Sequence, residues 1–130
     1  MNEVLEFLKN SGVYYIATND NGQPRVRPFG ALAEFEGKIY FPTNNQKKVY
    51  QQLIAEPRFE ICAFHEGKWI RVEGKAVLDE RREARAAMME QCPDLASMYS
   101  VDDGLMVVFK IESAVATISS FTEAPVVINL

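Results

Sequence analysis

The chain has 130 residues, of which 48% are hydrophobic and 25% charged, and its formal net charge is −4. That length suits one domain, 1–130, with its own core, and the mildly acidic balance offers no global field to draw in nucleic acid or an anionic membrane. Any anion site must then be a local cluster of Arg and Lys. Cys62 and Cys92 stand far apart outside any CxxC pair, and His65 is the only histidine, so neither a disulfide framework nor a metal site is expected. The opening MNEVLEFLKNSG is too acidic for a signal peptide, and no apolar run approaches the roughly 20 residues that span a bilayer. The expected setting is cytoplasmic.

Val4, Leu5 and Leu8 recur at helical spacing ahead of Ser11-Gly12, which predicts a short amphipathic helix stopped by the glycine. VYYIAT (13–18) reads as a strand, and Asn21-Gly22 as the two-residue turn of a hairpin. A second strand is expected from Gln23 to Phe35, turning at Glu36-Gly37 into KIYFPT (38–43), so that three strands form an antiparallel meander. Thr43 and Gln46 fit a reciprocal capping box at the start of a helix whose apolar stripe is Val49, Leu53 and Ile54 and which ends before Pro57. RFEICAF and KWIRVEGKAVL are strands joined across Glu66-Gly67. DERREARAAMMEQ (79–91) reads as a helix with Asp79 as its cap, Met88 and Met89 on its apolar face and Pro93 beyond its end. A long strand comes next within 104–120, then a last strand or tail to Leu130. Six strands, mostly hairpin-connected, with three short helices predict a mainly β (α+β) antiparallel barrel with the helices outside it.

Two clusters of cations carry the chemistry. In QPRVRPFGAL the strand period puts Arg25, Arg27 and Phe29 on one face and Val26, Pro28 and Gly30 on the other. An isolated RxR reads first as a solvated outer face, although Phe29 departs from that pattern. Lys47 and Lys48 stand at a helix start, where the positive end of the dipole disfavours each cation by about 0.3–1 kcal/mol. An anion bound there reverses that sign, held by the Thr43 hydroxyl, backbone N–H groups and both ammonium ions. The expected route by which the two clusters meet is the hairpin between their strands. Trp69 reads as a barrel-end core aromatic, Cys62 as a buried small hydrophobe, and His65, beside a turn, as solvated.

With these segments in place, IAT before a hairpin, GQPRVRPFGAL, GKIYFPTNNQKKVYQQL, PRFEICAF and WIRVEGKAVL, the chain resembles the pyridoxamine 5′-phosphate oxidase-like family of FMN-binding split β-barrels, in particular its short members. The resemblance implies an FMN phosphate held by Arg27, Thr43, Lys47 and Lys48, with Arg25 beside them and Gln46 where relatives often carry Ser. It implies an isoalloxazine along Pro28, Phe29 and Gly30, faced by Trp69 from the second subunit of a homodimer. The implied activity is an oxidoreductase acting on a small-molecule substrate or electron acceptor, with a non-catalytic flavin carrier or sensor as the alternative. No side chain stands out as a catalytic acid or base. The arginine and histidine that grip substrate phosphate in pyridoxamine phosphate oxidases proper have no counterpart before VVINL, so pyridoxamine 5′-phosphate is not the expected substrate.

Overall fold

The computed structural model describes residues 2–130. The elements run α1 (Asn2–Ser11), β1 (Tyr14–Asp20), β2 (Gln23–Phe29), β3 (Ala33–Phe35), β4 (Lys38–Asn44), α2 (Lys48–Ala55), β5 (Arg58–His65), β6 (Lys68–Asp79), α3 (Arg82–Gln91), a 3₁₀ helix (Pro93–Ser97), β7 (Met106–Ser120) and β8 (Val126–Asn129). The result is an α+β split barrel built on a mostly antiparallel sheet with three short helices, and the sheet has eight strands where six were expected.

The local signals act as their residue types dictate. α1 buries Val4, Leu5 and Leu8 and stops at Gly12, whose φ of +77° is cheap only for glycine. Asn21-Gly22, Glu36-Gly37 and Glu66-Gly67 all have positive φ, the conformation that closes two-residue hairpins without splaying the strands.

The expected meander is not formed. Gln23–Phe35 breaks at Gly30–Leu32 into β2 and β3, which lie at opposite ends of the strand order β2-β1-β5-β6-β7-β4-β3, with β8 on β7. Pro28 lacks the N–H that an inner strand needs, so β2 stays at an edge while Leu32 dives into the core. β6 and β7 pair along nearly their whole lengths, and β7 divides its other edge between β4 and β8. The register slips at Gly74, where a Cβ would sit 2.7 Å from the Cβ of Ala114.

Phe41 stacks on Phe109 with centroids 5.6 Å apart and touches Phe29 and Phe59, which places an aromatic knot at the barrel's centre. A second core cluster, Ala33, Tyr40, Met106 and Val108 with Ala84 and Met88, fastens α3 outside β3, β4 and β7. The alternation of β5 turns Phe59, Ile61 and Ala63 inward, so Cys62 is exposed and not buried. His65 is partly buried, edge-on to Phe7, and not fully solvated. No helix among the described residues is long and apolar enough to cross a membrane.

Candidate functional site

The turn between β4 and α2 presents the lysines. Thr43 is still in β4, and α2 begins only at Lys48 with Lys47 as the flanking residue and no side-chain cap. The capping box between Thr43 and Gln46 is therefore not formed. Gln46 is exposed, and its N–H donates to Asn44 Oδ1 at 2.8 Å, which bends the chain in place of a cap. Asn45 ties the turn to the chain before β7, its N–H to Leu105 O at 3.0 Å and its Nδ2 to Gly104 O at 2.8 Å. The turn is thus fixed while Lys47 and Lys48 stay exposed, and neither lies within 4.0 Å of a carboxylate among the described residues.

Thr43 is only 5% exposed, and its Oγ1 has no hydrogen-bond partner among the described residues. It lines a cleft of about 500 Å³ with Lys47, Pro42 and the segment Pro28–Ala31. The Tyr14 hydroxyl donates to Ala31 O at 2.7 Å and pins that segment; burial raises the Tyr14 pKa well above its ordinary value, so the phenol keeps its proton. The facing wall is Cys92, Leu95, Met98 and Tyr99, with Asp94 beside them. It is held to the β2–β3 crossing by the Cys92 thiol on Leu32 O and by the Gln91 amide, which exchanges two hydrogen bonds with the Glu34 backbone. This wall was not foreseen, because neither α3 nor the 3₁₀ helix after it carries a signal of its place beside β2.

Arg27 and Phe29 are half-buried while Val26 and Pro28 face out, as the strand period requires. The Phe29 ring packs against Phe41 and Tyr14 in the core, so it is the backbone of this residue and its neighbours that borders the cleft. Arg25 is exposed, and its side chain is paired with Asp20 at 3.2 Å in its own hairpin. Arg27 is different. Its Nη1 donates to Ile16 O at 3.1 Å and to Thr18 Oγ1 at 2.8 Å, and its Nη2 donates to Gln52 Oε1 at 2.9 Å. Partial burial lowers its pKa, and no carboxylate among the described residues lies within 4.0 Å of its guanidinium.

Because β2 and β4 are not neighbours, the expected hairpin does not bring the clusters together; the link between them is Gln52 of α2, to which Arg27 bonds, while Arg27 itself lines neither hollow. Lys48 and Gln52 lie four residues apart on one helix face and line a second hollow of about 360 Å³ with Asn19–Asn21. Gln52 therefore carries Arg27 to within a helical turn of the lysine pair. It takes the place in the buried stripe that the sequence had given to Ile54, which is exposed. Nothing in the sequence separates Gln52 from Gln51. Trp69 is partly buried on the outer face of β6 against Phe121 and lines neither hollow.

A family model described as pyridoxamine 5′-phosphate oxidase matches residues 1–118. No curated protein matches the chain. Among solved structures, a NimC/NimA family protein from Clostridium acetobutylicum is 45% identical, with TM-score 0.97 over 100% of this chain and 92% of that one. Two others share the fold at low identity. General Stress Protein 26 from Bacillus anthracis has 17% identity and TM-score 0.76 over 99% of this chain and 97% of its own. A heme binding protein from Mycobacterium smegmatis has 15% identity and TM-score 0.72 over 94% of this chain and 57% of its own.

Proposed function

The chain belongs to the pyridoxamine 5′-phosphate oxidase family, and on that premise we propose that it is a single-domain FMN-binding flavoprotein, an oxidoreductase acting on a small molecule. Members of the family commonly bind a flavin and are commonly dimers. The observation that carries the reading is the buried, unpartnered Thr43 hydroxyl beside Lys47. A buried hydroxyl without a partner costs about 1–3 kcal/mol, which a phosphate oxygen at that spot would restore. Thr43, Lys47, Lys48 and Arg27 are the residues for the phosphate, and Pro28, Phe29 and Gly30 lend main-chain groups to the ring's edge. Arg25 and Gln46 stand at the margin of this set. Trp69 of the partner subunit completes the pocket in the homodimer.

The flavin, when bound, supplies hydride and electron transfer, while this chain anchors the phosphate, orients the ring and shields it from water. The wall Leu95–Tyr99 adds a largely apolar surface whose neighbouring charge is the carboxylate of Asp94, so a substrate carrying its own phosphate finds no second cationic cluster. Pyridoxamine 5′-phosphate is accordingly a poor substrate, and an uncharged acceptor such as a quinone or nitroaromatic is the better fit.

The visible spectrum of the purified protein tests this directly. Flavin bands in the protein, or their appearance with a shift when FMN is added, are the expected result, and a protein that stays colourless with FMN present overturns the reading. Turnover of a reduced nicotinamide nucleotide with a quinone separates the enzyme from a non-catalytic carrier or sensor.

A further inference from the structure

Arg27 is held by an arrangement that makes its charge available. The Thr18 hydroxyl donates to Gln52 Oε1 at 2.6 Å and accepts from Arg27 Nη1, while the same Gln52 oxygen accepts from Arg27 Nη2. Three residues from β2, β1 and α2 thus close a triangle, and Thr18 and Gln52 are 5% and 8% exposed. Buried polar groups that satisfy one another fix a single geometry, because each lost bond leaves an unpaired group behind. Every acceptor in the triangle is neutral.

Four of the other six arginines show what a different choice would do, whereas Arg71 meets no carboxylate among the described residues and Arg85 donates to the carbonyls of Val101 and Glu80. Arg25, Arg58, Arg81 and Arg82 each meet a carboxylate, on Asp20, Glu56, Asp79 and Asp102 respectively. A guanidinium clamped by a carboxylate has spent its charge. One clamped by a carbonyl, a hydroxyl and an amide oxygen keeps it, and the Arg27 Nε hydrogen makes no bond among the described residues.

We propose that Thr18 and Gln52 are positioning residues of the anion site: they orient Arg27 with its charge uncompensated and lock it to α2, so that Arg27 and Lys48 address one phosphate group together. The inference rests on the proposed FMN binding and adds to it the two residues that set the affinity for the phosphate. It also explains why a glutamine, and not an aliphatic residue, fills a buried position of the α2 stripe. A glutamate there would bond Arg27 equally well and cancel it.

The experiment compares FMN with riboflavin, which lacks the phosphate, on the full-length wild type and its variants by fluorescence quenching, with thermal melting alongside. Gln52→Glu is expected to melt no lower than wild type yet to bind FMN about tenfold or more weakly, the size of a lost charged hydrogen bond, with riboflavin affinity unchanged. Thr18→Val is expected to weaken FMN selectively, and Thr18→Ser, which keeps the hydroxyl, to restore it. A merely structural role would move FMN and riboflavin together. If the wild type prefers FMN and Gln52→Glu leaves that preference intact, the positioning role is overturned and the flavin reading stands. If the wild type itself shows no preference, both fall. Should Gln52→Glu fail to fold, the Thr18→Val and Thr18→Ser pair decides by the same ratio.

Discussion

Thr43 buries a hydroxyl that bonds to nothing, and Lys47 and Lys48 place two cations where a helix start disfavours them. Both features work against the stability of the free protein, and the anion of the proposed site would relieve both. Thr43→Val removes the unmet hydroxyl at nearly constant shape, so it should raise the stability of the flavin-free protein by about 1 kcal/mol while weakening FMN by about tenfold. Urea unfolding and an FMN titration read the two effects; loss of stability with unchanged FMN binding would show that the hydroxyl is not aimed at a ligand. The lysines were legible in the sequence because they break a rule of helix ends. Gln52 was not, because its burial depends on where Thr18 and Arg27 of other strands arrive. Trp69 was placed at the flavin by resemblance alone, and within one chain it lies on the outer face, away from both hollows.

At the scale of elements, α3 is fastened by a clamp on Asp79. The Tyr40 hydroxyl of β4 donates to Asp79 Oδ2 at 2.7 Å, and Arg81 bonds both Asp79 oxygens, reaches Glu36 at 2.6 Å and lies over the Phe35 ring. Asp79 was expected to cap the helix; it ends β6 instead and accepts from the Arg81 N–H, and α3 starts three residues later at Arg82. Arg81 first, then Tyr40, holds the Asp79 carboxyl well below the usual carboxylate range. A depressed folded pKa contributes stability above the unfolded value of about 3.9, and that contribution is lost as pH falls towards the folded value. Burial first, then Asp79, pushes the Tyr40 phenol up to about 12, so its share is lost as pH rises from about 10 through 12. Tyr40→Phe should cost about 1.5–3 kcal/mol at pH 7, the range for a hydrogen bond to a charged group, and less in acid once Asp79 is protonated. Urea midpoints followed from pH 7 downward through the acid range measure this; a cost that stays constant down to the pH at which the folded Asp79 takes up its proton, and beyond it, would show that the bond does not depend on the carboxylate charge. The hairpins were readable from Asn-Gly and Glu-Gly because a turn is a local event. The break at Gly30–Leu32 was not, since β2 and β3 part company only because β5, β6 and β7 come between them.

For the whole molecule, the sheet's outer face exposes Tyr15, Val26, Phe64 and Val127, with Phe121, 90% exposed, against Trp69. These exposed apolar side chains would suit the face shared in the proposed homodimer, in which Trp69 of the partner subunit would complete the cleft. In the proposed holoprotein, FMN is held through its phosphate at a site that two copies complete. Sedimentation velocity of the protein at micromolar concentration, followed at the flavin's visible absorption with FMN or riboflavin added, tests it in one measurement. FMN is expected to travel with a dimer while riboflavin largely stays behind. FMN travelling with a stable monomer, or the two flavins travelling equally, would contradict it.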